Sequence, residues 1–282
     1  MPQASSSYQL FGVDFGSNPG QRELIRQINE DCTRKPVVFC KGSAGTGKTF
    51  AALAASLALV RGKGAKKKYK TVYYVREPVE IGHRLGYLKG TEEDKLAPYL
   101  GPLLDNYNHL MAKARSEMKV SEVVKTSRRK KSFEDDEDMM PKAYQHLPND
   151  IIPLAPEFMR GRSFENCIII VDEAQNMTID EIQTLVTRIG PFTKMVIIGS
   201  PNQIDVPGQT EDNNAFDESY KILEPTGLVG FIELVEPMRS SFVADFDMRF
   251  VEYKKKLAKE KALRAAARQE ALGLAPSIKE SE

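Results

Sequence analysis

A chain of 282 residues with a formal net charge of +1 can bury a large core and projects no strong field of either sign, so any polyanion contact must be local. Hydrophobic content of 41% and charged content of 28% exclude collagen-like, disordered and membrane-embedded classes. Cys32, Cys40 and Cys167 have no metal-ligand spacing, residues 1–10 show no basic-then-apolar leader, and the apolar stretch 51–60 is too short to span a bilayer; a cytoplasmic protein with reduced thiols and no membrane partner is expected.

Residues 1–17 read as a flexible amino-terminal segment. From Asn18 the pattern NPGQRELIRQINED sets Leu24, Ile25 and Ile28 on one face of a short helix. The apolar strand VVFC (37–40), a glycine-rich loop and an Ala/Leu-rich helix to about Arg61 follow, then a lysine-rich loop and a second strand, TVYYVR (71–76). Residues 92–111 read as mainly helical. The segment 112–150 sets the block RRKK close to the acidic run EDDED, the pattern of a solvated insertion. Order returns with IIPLAP and the strand CIIIV, and Thr178 with Glu181 forms a T-x-x-E capping box ahead of Ile182, Leu185, Val186 and Ile189. The strand KMVIIG (194–199) ends in the turn SPNQ, another strand lies in LVGFIELVE, and a closing helix from about Ser241 runs into a basic tail, 254–282. Strands alternating with helices predict an α/β fold, a mostly parallel sheet covered on both faces.

GSAGTGKT, residues 42–49, fits G-x-x-x-x-G-K-[ST] at every position and sits between a buried strand and a helix, the context such a phosphate loop requires. The backbone of Gly42, Ser43, Ala44, Gly45, Thr46 and Gly47 is expected to turn its N–H groups toward phosphate oxygens. Lys48 supplies a compact positive charge to the terminal phosphates, and Thr49 a hydroxyl to Mg2+. Two adjacent acids, Asp172 and Glu173, end the apolar run 168–171, where uncompensated carboxylates are costly. Ligands of parallel sheets bind at the carboxyl ends of the strands. There Asp172 can complete the Mg2+ site and Glu173 can take the proton of an attacking water.

A complete strand, 71–76, precedes the Asp–Glu strand, and a glutamate follows the aspartate. That order resembles the helicase, recombinase and AAA branch of phosphate-loop proteins. SPNQ resembles the motif with which that branch senses the γ-phosphate, with Gln203 the first choice and Asn202 the second. Gln21, upstream of the loop, stands where superfamily 1 helicases carry an adenine-reading glutamine.

With these residues assembled, the chain resembles the PhoH-like proteins, the phosphate-starvation-inducible ATPase family. The stretches that carry the resemblance are KGSAGTGKTFAALAA, REPVEIGHRLGYLKGTEEDKLAPYLGPLLDNY, PLAPEFMRGRSFENCIIIVDEAQNMT and TRIGPFTKMVIIGSPNQIDVPGQ. It covers residues 18–253 and implies a single RecA-like ATPase domain with ATP and Mg2+ as cofactors and a helicase-like role with single-stranded RNA, or DNA. The family often has an aspartate where Ser200 stands here, and the insertion 112–150 is longer than the resemblance leads one to expect. Nuclease activity is not expected. Two rival functions remain: a nucleotide-gated assembly switch of low turnover, and a small-molecule kinase, which would have no need of Glu173.

Arg76 and Glu80 follow a strand's carboxyl end and so lie near the nucleotide or form a plain ion pair. His83 and Arg84 are candidates for a polynucleotide surface. So are the basic stretches 61–70 and 254–268, although lysine-rich faces also serve solubility alone. One phosphate loop and one sheet leave no second domain to supply an arginine to the γ-phosphate. A homo-oligomer is therefore expected, a hexameric ring with ATP at each subunit boundary. Arg239 is the first candidate for the donated arginine; Arg160, Arg162 and Arg188 are the others.

Overall fold

Three stretches, VVFCKG, CIIIVD and KMVIIG, are apolar on both faces, and all three become interior strands of one parallel sheet. The computed structural model describes residues 8–77, 96–123, 147–200, 202–204, 209–210 and 213–238, with scattered positions between 249 and 264. The chain divides into two compact units, Met1–Glu236 and Pro237–Glu282. In the second unit the described positions from 249 onward are helical.

In chain order the first unit comprises β1 (Gln9–Leu10), β2 (Val13–Asp14), α1 (Pro19–Asn29), β3 (Val37–Gly42), α2 (Lys48–Arg61) and β4 (Thr71–Arg76). Then come α3 (Gly101–Val123), β5 (Ile151–Leu154), β6 (Cys167–Asp172), α4 (Ile179–Val186), β7 (Lys194–Gly199), α5 (Ala215–Leu223) and β8 (Val229–Leu234). The six-stranded sheet has the order β5-β4-β6-β7-β3-β8, and every pairing in it is parallel. This is the parallel α/β arrangement that the alternation of strands and helices predicts, in the RecA-like form that the resemblance implies. The strand lying between β3 and β6 in space is β7, whereas β4, which separates them in sequence, pairs on the far side of β6.

The period-two alternation of the strands sorts the core into two layers. Val38, Cys40, Tyr74, Ile168, Ile170, Val196 and Ile198 face α1, α2 and α3. Phe39, Val75, Ile169, Val171, Met195 and Ile197 face α4 and α5. The expected capping box holds α4: the Thr178 hydroxyl accepts from Glu181 N–H, and Glu181 accepts from Thr178 N–H at 2.7 Å.

Two expectations change. The loose segment does not extend over residues 9–17: Phe11 and Gly12, both left-handed (φ 53° and 75°), turn β1 into the antiparallel β2, and Phe15 is buried under α2, ring to ring with Phe50. The sequence signal was a two-residue turn between apolar neighbours. Likewise α3 runs to Val123, past the position where the charged insertion was expected to begin, because Leu103 and Leu110 anchor it to the core while its outer face tolerates charge. The charged run at 128–138 lies outside the described residues.

Lys194 opens β7 on the α1 side, wholly buried. Its ammonium donates to the carbonyls of Gln27 (2.6 Å) and Glu30 (2.9 Å), which the end of α1 leaves open. Burial pushes its pKa down to about 8, against the pull of the Glu30 charge. Between about 8 and the ordinary lysine value the unfolded chain holds a proton that the folded chain has released. This residue's contribution to the unfolding free energy therefore rises with pH across that window. In denaturant titrations, wild type should gain stability relative to Lys194→Met as pH rises from about 8 to about 10. Parallel curves would show that Lys194 does not titrate there.

Candidate nucleotide site

The phosphate loop leaves the sheet where β3 lies beside β8. A Cβ on Gly42 would sit 2.5 Å from the Leu234 carbonyl oxygen, so only glycine fits that exit. Gly45 and Gly47 then take left-handed φ values of 79° each. The Thr46 hydroxyl closes the loop on the Ser43 carbonyl (2.9 Å). Gln21 braces it from α1: buried, with its N–H on the Asn18 cap, it donates from Nε2 to the Thr46 carbonyl at 3.1 Å. Lys48 Nζ folds back onto the carbonyls of Gly42 (2.7 Å) and Ser43 (2.8 Å). Burial holds its pKa below the usual lysine value, and the charges of Glu173 and Asp172 oppose that shift.

Strand alternation puts Asp172 on the same face as Ile168 and Ile170, the face that carries α2. Its buried carboxylate accepts from the Thr49 hydroxyl at Oδ1 (3.0 Å), from the Tyr74 hydroxyl at Oδ2 (2.6 Å) and from Glu173 N–H (3.1 Å). Tyr74 is pushed well above the usual tyrosine range by burial and by the Asp172 charge, so it stays a donor. Arg76 stands opposite Asp172 in the β4–β6 register. Burial opposes its charge, but the Asp172 and Glu173 carboxylates hold its pKa above the usual arginine value.

Glu173 adopts φ 55°, a left-handed conformation costing roughly 1 kcal/mol for a residue with a Cβ. The kink turns its side chain off the strand line. Burial and the neighbouring Asp172 charge raise its pKa above an ordinary glutamate's, while Gln175, Arg76 and Lys48 oppose that. Gln175, fully buried, donates from Nε2 to Glu173 Oε2 (2.6 Å) and to the Gln203 carbonyl (3.1 Å), and its Oε1 accepts from Ser200 N–H (2.8 Å).

The turn after β7 closes through Gln203 N–H on the Ser200 carbonyl. Of the two residues expected to sense the terminal phosphate, Asn202 touches the loop, its Nδ2 lying 3.4 Å from Ser43 Oγ; Gln203 is exposed and held by its backbone. Arg160 and Arg162 are exposed, and the Arg162 guanidinium lies 5.1 Å over the Phe164 ring. Phe164 N–H donates to the Arg188 carbonyl, which sets Arg162 and Arg188 at the amino end of β6, opposite the phosphate loop. Glu80, His83, Arg84 and Arg239 lie outside the described residues.

Sequence reasoning missed Tyr74 and Gln175. Tyr74 reaches Asp172 only through the β4–β6 register, which no local pattern states. Gln175 gave no local signal either, since its burial in the short helical turn Ala174–Asn176 belongs to the fold.

The donor set suits a Mg2+-nucleotide. A loop whose exit only glycine fits surrounds a buried ammonium, and Thr49 and Asp172 present two hard oxygens side by side, the few protein ligands such a cation takes alongside phosphates and water. The family model described as PhoH-like protein matches residues 16–247. The chain belongs to that family. Protein PhoH2 of Bacillus subtilis is 34% identical over 206 residues, 73% of this chain and 41% of its own length. A PhoH-like protein of Mycobacterium tuberculosis H37Rv is 30% identical over 255 residues, 88% of this chain and 63% of its own. This chain thus spans less than two thirds of either relative. Among solved structures, a Sulfolobus solfataricus SWI2/SNF2 ATPase core in complex with dsDNA overlays 82% of the chain and 47% of its own, at 13% identity and a TM-score of 0.40.

In this PhoH-like domain Gly42→Ala should force β3 from β8, lowering stability by about 1–3 kcal/mol and nucleotide affinity about tenfold or more. Thermal unfolding and titration with a fluorescent ATP analogue read both. Gly101→Ala, which meets open space, should change neither.

Proposed function

We propose that this PhoH-like domain is an ATPase that hydrolyses ATP with Mg2+. The observation that carries the reading is the Thr49 hydroxyl 3.0 Å from Asp172 Oδ1, with Glu173 next in the chain at the carboxyl end of β6. Thr49 and Asp172 would hold the cation, which supplies charge neutralisation on the phosphates. Lys48 exchanges its two loop carbonyls for the terminal phosphate oxygens. Glu173 takes the proton of the attacking water, a role that a kinase transferring phosphate to a small molecule would not need. Tyr74 and Arg76 fix the geometry and charge of the carboxylate pair.

A cavity of about 290 Å3 lies between the start of α1 (Asn18, Pro19, Gly20) and the end of β8 (Ile232, Glu233, Val235). The strand on its floor, β8, pairs directly with β3, the strand that feeds the phosphate loop. We place the nucleobase there, with Gln21 linking base side to loop.

Glu173→Gln should keep Mg2+-ATP affinity and lose hydrolysis by about two orders of magnitude or more, while Lys48→Ala should lose both. Steady-state phosphate release and equilibrium binding measure the pair. Near-normal turnover in Glu173→Gln would overturn the assignment.

The helicase-like part of the reading calls for a polynucleotide surface. Arg34, Lys63, Lys66, Lys67 and Lys70 are exposed near the amino ends of the strands, where phosphate contact would be independent of sequence. Single-stranded RNA should stimulate phosphate release, with an affinity that falls steeply as salt rises. Alanine at Lys63, Lys66, Lys67 and Lys70 should flatten that slope. Salt-independent turnover without RNA binding would favour a nucleotide-gated assembly switch instead.

A further inference from the structure

We propose that Gln175 is a positioning residue that ties the Glu173 carboxylate to the turn after β7, so that contact of Asn202 with the phosphate loop sets where Glu173 points. The proposal rests on the reading of Glu173 as the group that activates water. A carboxamide offers two donors and one acceptor in a plane, and here each is used: Nε2 on Glu173 Oε2 (2.6 Å) and on the Gln203 carbonyl (3.1 Å), Oε1 on Ser200 N–H (2.8 Å). The side chain is 0% exposed, so none of these partners is exchanged with bulk water. No other side chain of this length supplies the same set. A glutamate would set a carboxylate against Glu173 and the Gln203 carbonyl, and an asparagine would fall one methylene short.

The far end of the connection is at the nucleotide. Ser200 and Gln203 are the two ends of one hydrogen-bonded turn (2.8 Å), and Asn202 within it reaches Ser43 of the phosphate loop (3.4 Å). Gln175 grips that turn by both ends. A triphosphate that draws Asn202 toward itself moves the turn, and the turn can move only with the carboxamide, which carries Glu173 with it. The short bond from Gln175 also occupies one oxygen of the base, so the same motion sets how that oxygen meets a water. A displacement of about 1 Å at such a group can cost about a hundredfold in rate.

The test compares wild type, Gln175→Met, Asn202→Ala and the double variant. Gln175→Met keeps the volume and removes all three hydrogen bonds; Asn202→Ala, at an exposed position, cuts the link at its other end even should the buried variant fold poorly. Each single variant should lower kcat about tenfold or more with KM within about threefold, and the double should be no slower than the slower single. Hydrogen exchange at the Ser200 amide should differ between a nonhydrolysable triphosphate analogue and ADP in wild type, and the difference should vanish in Asn202→Ala. Additive losses of kcat, a rise in KM alone, or identical Ser200 exchange with the two nucleotides would overturn the coupling. A wild type that binds the analogue without turning over ATP would overturn the ATPase reading instead, and the exchange comparison would still decide the connection.

Discussion

The site depends on one buried charge. Asp172 is 2% exposed at the end of a strand whose other residues are apolar, and an unpartnered carboxylate there would cost several kcal/mol. Three donors remove that cost, and each comes from a different place: Thr49 from the first turn of α2, Tyr74 from the neighbouring strand, and the N–H of Glu173 from the kink that follows. The carboxylate therefore pins the phosphate loop, the sheet register and the conformation of Glu173 at once. Moving β4 by one residue against β6 would turn Tyr74 to the other face and leave Asp172 short of a partner.

The same constraint accounts for the strain at Glu173. A residue continuing the strand would point into the apolar layer occupied by Val171 and Met177. The left-handed φ of 55° turns it instead toward Gln175, and the short helical turn Ala174–Asn176 starts immediately. Strain at one position is offset by the hydrogen bonds it makes available at the next. Behind the site, Gly199 lets β7 pass directly over Phe216, whose ring atoms would lie 2.6 Å from an added Cβ. The turn that carries Asn202 is thus held from below by close packing and from the side by Gln175.

What the sequence made legible was whatever the chain states locally. The phosphate loop declares itself by glycine spacing between a strand and a helix, and the Asp–Glu pair by acids closing an apolar run. The capping box of α4 and the apolar face of α1 are read within one or two turns. Tyr74, by contrast, meets Asp172 across 98 residues and only because β4 and β6 pair in one particular register. Chemistry and position in the sequence favour Gln203 as sensor over Asn202, while the contact with Ser43 is made by Asn202, which local sequence does not state. The hairpin at residues 9–14 is hidden within the segment 1–17 that reads as flexible, because its strands are two residues long and give no alternation to count.

That division separates the two ends of the sheet. At the carboxyl ends, Thr49, Gln175 and Asn202 each lie within 3.4 Å of a side-chain partner, and a single methylene decides whether such a contact exists. At the amino ends the resource is charge: lysines on the connection from α2 to β4, Arg34 after α1 and Arg162 stacked on Phe164. Cations that meet a phosphate backbone need density rather than placement, since the interaction is long-ranged and tolerant of side-chain motion. A net charge of +1 conceals this arrangement, because composition sums over both ends. The strand β7 spans the sheet between them: its amino end is tied to α1 by Lys194, and its carboxyl end delivers the turn held by Gln175.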